Sequence, residues 1–106
     1  MSLRMTHITA LVLRAIHAGY RYGFDIMDAT GLPSGTVYPV LRRLERSGWL
    51  RSRWESATAA LDEGRPRRRL YELTGAGVSG LTEANAKLAE ARRLLSAPLL
   101  PVRGKA

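Results

Sequence analysis

Near the start of the chain Ile8, Leu11, Val12, Ala15 and Ile16 recur at helical spacing, which predicts a first helix over residues 6–18, ended by Gly19. Leu13 lies off that apolar face and is therefore a candidate contact to a second subunit. A short second helix is expected over 22–29, followed by the turn Thr30-Gly31-Leu32-Pro33. The next helix, over 34–48, has Ser34 as its expected N-cap and Gly48 as its stop. Pro33 marks the boundary, because it disfavours helical geometry at Leu32. Val37, Val40, Leu41 and Leu44 form the core face of this helix, while Arg42 and Arg46 project from the other side, flanked by Tyr38 and Arg43.

The period then changes. Residues 49–55 alternate, with Leu50, Ser52 and Trp54 on one face and Arg51, Arg53 and Glu55 on the other, as a strand does. Residues 56–66 are small and polar and are expected to be loop, and a second strand follows over 67–73 with Tyr71 and Leu73 directed inward. A helix-turn-helix followed by two strands and a long loop predicts a winged helix, a mostly α fold with a two-stranded β-wing. Thr74 should cap a last helix running to about residue 95. Leu81, Leu88 and Leu95 recur in it every seven residues with Ala84 and Ala91 between, a seam of coiled-coil type expected to pair with a second copy. The same seam lying back on the first helix is the alternative. The expected organisation is a winged-helix domain over 1–73, a dimerisation helix over 74–95 and an irregular tail over 96–106.

Charge sharpens this picture. At 106 residues the chain supports one compact domain, and its net charge is +8 with fifteen arginines among seventeen basic residues. Arginine donates two parallel bonds to phosphates and guanine edges, so double-stranded DNA is the expected partner. A capped helix whose free face carries Tyr and Arg suits the major groove, which makes Arg42, Arg43 and Arg46 candidate contacts. Gly64-Arg65-Pro66 followed by Arg67, Arg68 and Arg69 resembles the core of AT-hook peptides, with Glu63 where an arginine normally precedes the glycine. Pro66 would hold Arg65 extended toward a minor groove; generic attraction to phosphates is the other reading.

Other chemistries find little support. No cysteine is present, which excludes disulfides and thiolate metal sites. His7 and His17 stand ten apart, which is not a metal spacing, and Asp25 and Asp28 have no second acidic cluster to work with. No catalytic residue, metal or cofactor is therefore expected. Residues 8–16 are apolar but too short to span a bilayer, and no signal cleavage site follows, so a cytoplasmic protein without a membrane partner is expected. Gly75, Gly77 and Gly80 spell a dinucleotide-binding pattern, but only 26 residues follow Gly80 and none forms a second parallel strand. These glycines are better suited to close packing between the wing and the last helix.

The blocks YGFDI, TGLPSGTVYPVLRRLERSGWL, SRWE and GRPRRRLYELTGAG, in this order, resemble the PadR-type transcriptional regulators over residues 20–77. The length is similar to that of the shorter branch, which has one C-terminal helix for dimerisation. The resemblance implies a homodimeric winged-helix DNA-binding protein, usually a repressor of a nearby operon. By the matching motif Ser34, Thr36, Tyr38 and Arg42 would lie against DNA, and residues 65–69 would form the wing. Leu70 replaces a common aromatic, and the last helix lacks the tryptophans with which some short members hold flat drugs. Neither the operator nor any small-molecule effector is specified by the sequence. Two other functions share these features: a sequence-indifferent, architectural nucleic-acid-binding protein, and a helical protein-interaction module.

Overall fold

The first helix sits at the centre of the fold. The computed structural model describes residues 5–102 and consists of α1 (His7–His17), α2 (Gly23–Thr30), α3 (Ser34–Arg46), β1 (Leu50–Trp54), α4 (Ala57–Asp62), β2 (Arg69–Leu73) and α5 (Gly75–Ser96). Thr6 caps α1 by accepting from the Thr9 amide at 3.1 Å. The helix touches α2, α3, α5 and β2, so its buried stripe is broader than its own spacing suggests. Leu13, expected at a subunit contact, is fully buried in the core with Val12, Ala15 and Ile16. Ile8 and Leu11, expected inside, are exposed. Neighbours on several sides rotate the buried face toward Thr9 and Leu13.

The turn between α2 and α3 is built by side chain and backbone together. Gly31 adopts the left-handed conformation (φ +72°) that ends α2. The Thr30 hydroxyl donates to the Ile26 carbonyl at 2.7 Å and accepts from the Leu32 amide at 3.3 Å. Pro33, rather than Ser34, holds the cap position of α3, with its carbonyl accepting from Thr36 and Val37 at 2.9 and 3.0 Å. Its extended backbone and fixed φ suit that position, which moves Ser34 into the first turn with no capping bond. Val37, Val40, Leu41 and Leu44 pack inward as expected.

The strands β1 and β2 are antiparallel, in register from Leu50 opposite Leu73 to Trp54 opposite Arg69. A single bridge between Tyr22 and Leu70 adds a third chain segment beside β2, with the Tyr71 amide donating to the Arg21 carbonyl at 2.9 Å. This is a winged helix, mostly helical with a two-stranded wing. The stretch expected to be loop contains α4, which Ser56 caps and Ala60 anchors by burial. Its small alanines suit a loop, yet alanine is also the best helix former, and here the helix forms.

Thr74 accepts from the Gly77 amide at 3.1 Å and donates to the Gly48 carbonyl at 2.6 Å, tying the start of α5 to the end of α3. A Cβ at Gly77 would strike the Trp49 carbonyl, and one at Gly80 would strike the Trp49 ring. The glycine string is therefore a packing device. Leu81, expected in a dimer seam, is instead buried in the core of its own chain. Beyond it only Ala84 is partly covered; Ala91 is exposed, Leu88 is 41% exposed and Leu95 87%. From residue 97 the tail is irregular, and residues 103–106 of it lie outside the described residues. The molecule is elongated, 77 Å in its longest dimension. Among the described residues no helix is long and apolar enough to cross a membrane.

Candidate nucleic-acid interface

The outer face of α3 combines exposed cations with one anchored aromatic ring. Arg42, Arg43 and Arg46 are exposed, and none of them joins an ion pair among the described residues. The one acid of the helix, Glu45, turns toward the sheet, where it accepts from the Ser52 hydroxyl and from Arg69 at 3.5 Å. Tyr38 lies a turn before Arg42 and is 37% exposed. Its ring rests on Gly23, the first residue of α2, where a Cβ would lie 2.6 Å from the Tyr38 hydroxyl. Only a glycine lets the two helices hold the tyrosine this way. Ser34 is exposed at the start of the same helix and Thr36 is half-buried.

The arginines of the wing are arranged differently. Arg65, expected to extend outward behind Pro66, folds back onto Glu55. It donates to both carboxylate oxygens of Glu55, by Nη1 and by Nη2 at 2.7 Å, and its Nε donates to Glu63 at 2.8 Å. The cause is Glu55, which is only 7% exposed at the end of β1 and must be paired where it lies. Arg68 also serves this carboxylate, through its backbone amide at 3.3 Å and its Nη2 at 3.4 Å, while its guanidinium stacks 3.6 Å from the Tyr22 ring centre. Arg67 donates from Nε to the Glu55 carbonyl at 2.9 Å. Arg69 donates from Nε to Ser52 at 2.9 Å and lies over the Trp54 ring. The bonds from Arg65, outweighing burial and aided by Arg68, hold the Glu55 carboxyl down at about 2. Burial pushes the Tyr71 phenol up, away from ionisation.

Between α2, α3 and the wing lies an open groove of about 360 Å³, lined among others by Tyr22, Phe24, Tyr38, Trp54, Arg67 and Arg69. Phe24 and Trp54 are exposed there. The structure thus brings Tyr38, Arg67, Arg68 and Arg69 around one groove, leaves Arg65 out of it, and keeps Arg42, Arg43 and Arg46 on the free side of α3. The seam residues Ala84, Leu88, Ala91 and Leu95 stand apart from this face, on α5. The sequence pattern missed Gly23, Glu45 and Glu55, which decide where the tyrosine and the arginines point. No local signal marks Glu55, because the folded hairpin brings it beside Arg68, whose carbonyl accepts from its amide at 2.8 Å.

A model of the transcriptional regulator PadR-like family matches residues 12–83. Among solved structures, the chain is similar to a PadR-like transcription factor from Bacteroides fragilis, at 28% identity over 83% of this chain and 85% of that one, with a TM-score of 0.71. It is similar in fold to a PadR family transcription regulator from hypervirulent Clostridium difficile R20291, at 21% identity over 85% and 95% of the two chains, with a TM-score of 0.75. A third similar structure is the PcaV transcriptional regulator from Streptomyces coelicolor in complex with its natural ligand. It is 25% identical over 93% of this chain and 66% of that one, with a TM-score of 0.74. No curated protein matches the chain.

Proposed function

The chain belongs to the PadR-like family of transcriptional regulators, and from that premise we propose that it is a homodimeric repressor that binds a palindromic operator. In this reading α3 enters the major groove, with Ser34, Thr36, Tyr38, Arg42, Arg43 and Arg46 against DNA. Arg67 and Arg69 of the wing meet phosphates, and the protein acts in the cytoplasm, where it occludes a promoter. The observation that carries the reading is the uncompensated arginine face of α3 beside a tyrosine locked by Gly23. An arginine that donates both ends of its fork to guanine discriminates bases, whereas a solvated basic face does not.

The partner copy covers the outer part of α5. Leu88 and Leu95 are exposed at heptad spacing with Ala84 and Ala91 between them, and Ile8 of α1 is exposed as well. A groove of about 340 Å³ between α1 and α5, lined by Met5, His7, Ala10, Ala84 and Leu88, is suited to receive the second copy's helix. Leu13 and Leu81 contribute to the monomer core and not to this seam.

Selection of bound genomic fragments with the purified protein tests the proposal. Enrichment of one palindrome, with half-sites about one helical turn or a multiple of it apart, is the expected result. Equal binding to every duplex makes the protein architectural, and no duplex binding at moderate salt leaves a helical interaction module. Leu88→Asp places a charge without a partner in the seam and should sediment as monomer, with operator affinity lost by orders of magnitude. A dimeric Leu88→Asp protein rules out this interface.

A further inference from the structure

We infer that Glu55 is a specificity-determining residue that withholds Arg65 and Arg68 from DNA phosphates. The inference rests on the duplex binding proposed above. Arg65, Arg67, Arg68 and Arg69 lie within five positions, next to an exposed arginine face on α3. Free on a loop, each would neutralise a phosphate of any duplex, and such contacts carry no sequence information. A regulator that must find one site among a genome of competing duplex loses selectivity with every such contact.

Glu55 removes two of them. All three nitrogens of the Arg65 guanidinium are engaged: Nη1 and Nη2 by Glu55, Nε by Glu63, with Pro66 carbonyl a further acceptor for Nη1 at 3.4 Å. Arg68 gives Nη2 and its backbone amide to the same carboxylate and lays its plane on Tyr22. The two negative charges of Glu55 and Glu63 thus cancel the two positive charges of Arg65 and Arg68. Arg67, whose Nε bonds a backbone carbonyl, is exposed and has no ion-pair partner among the described residues. The wing is therefore far less cationic than its sequence. A buried ion pair is weak evidence for stability, since an apolar pair of like volume serves as well. A carboxylate that takes both ends of one fork and the amide of a second arginine also sets where those cations point.

The test uses the full chain and a random-sequence duplex, whose affinity is measured over a range of salt. Glu55→Gln removes the charge and the two-oxygen acceptor, so Arg65 is released. The log–log salt slope should steepen by about 0.9 for each arginine freed, and affinity in about 0.1 M salt should rise by up to about eightfold per contact. A wing that merely loses its shape would weaken binding and leave the slope no steeper. Arg65→Gln should leave the wild-type slope unchanged, because that arginine is already withheld, and combined with Glu55→Gln it should cancel its share of the increase. An unchanged or shallower slope in Glu55→Gln overturns the inference. So does a slope that falls by about 0.9 per subunit in Arg65→Gln, a result that decides the matter even if Glu55→Gln fails to fold. Wild-type protein that binds no duplex refutes the DNA-binding proposal itself, which separates the two failures.

Discussion

The outer face of α3 carries three arginines and the return limb of the wing four, yet most of the wing's charges are paired with acids while those of α3 are not. Arg42, Arg43 and Arg46 have no ion-pair partner among the described residues, because Glu45, the single acid of α3, is turned onto Ser52 and Arg69. Arg65 and Arg68 are wrapped around Glu55, and Arg69 is shared between Ser52 and Glu45. The density of cations along a chain therefore says little about the field it presents. What decides is whether an acid is seated where the cations must pass. In α3 the acid faces inward, and in the wing it stands at the end of β1 in their path.

The largest effect should come from breaking the free side of this contrast. Arg42→Ala is expected to lower operator affinity tens-fold or more, because each lost bidentate base contact is worth about 1–3 kcal/mol and the bound dimer loses two, while a random duplex loses only one phosphate's worth per subunit. Titration of both duplexes by fluorescence anisotropy measures the two losses. Equal losses would place Arg42 on phosphate and remove the distinction between α3 and the wing.

A smaller effect is expected at Gly23. The Cβ of Gly23→Ala would press on the Tyr38 ring, and such overpacking typically costs about 1–3 kcal/mol where the neighbour cannot yield. Tyr38 is partly exposed and can swing outward, so the stability loss should fall at the low end. Operator affinity should drop several-fold with the salt slope unchanged, since no cation moves. Thermal unfolding and anisotropy on one sample separate the two quantities. A variant that binds like wild type would mean that the locked tyrosine does not read DNA.

Much of the frame was legible from local pattern. Val37, Val40, Leu41 and Leu44 announce the inner face of α3, Thr74 announces the start of α5, and the glycines at 77 and 80 suggest close packing, which Trp49 supplies. These are properties of residues near one another in sequence. Leu13 departs from its expected outward position because the face a central helix buries depends on how many elements surround it. Ser34 departs from the expected cap because the proline before it takes that place. Glu55 was illegible for a stronger reason: ten residues and a helix separate it from Arg65, and only the folded return of the chain brings them together. Charge compensation is a tertiary property, so the candidate site was legible in its residue types and not in its free charges.

Next in size is Arg67, the wing arginine without an acidic partner among the described residues. Arg67→Ala should reduce the salt slope by about 0.9 per subunit of the bound dimer and weaken operator and random duplex by the same factor. Here equality is the expected result, the reverse of that for Arg42. A loss confined to the operator would turn Arg67 into a base-reading residue and erase the division of labour between the two regions.

The smallest effect is one of pH, and it isolates the clasp from everything else in the wing. The Glu55 carboxyl is held at about 2, against an ordinary value of 4.5, chiefly by the bonds from Arg65. A carboxyl held lower in the folded than in the unfolded chain contributes stability that is fully present above the unfolded value. That contribution shrinks as pH falls through the interval from 4.5 to about 2, because the unfolded chain takes up the proton first. At neutral pH the term is constant, so no pH sensitivity of DNA binding should arise from it. Urea unfolding of wild type and Glu55→Gln across this range exposes it as a difference between the two proteins. The difference should be flat above 4.5 and diminish toward 2. A Glu55→Gln difference that stays constant down to pH 2 would mean that the carboxylate is not clasped by Arg65, and the contrast between the two regions would fall with it.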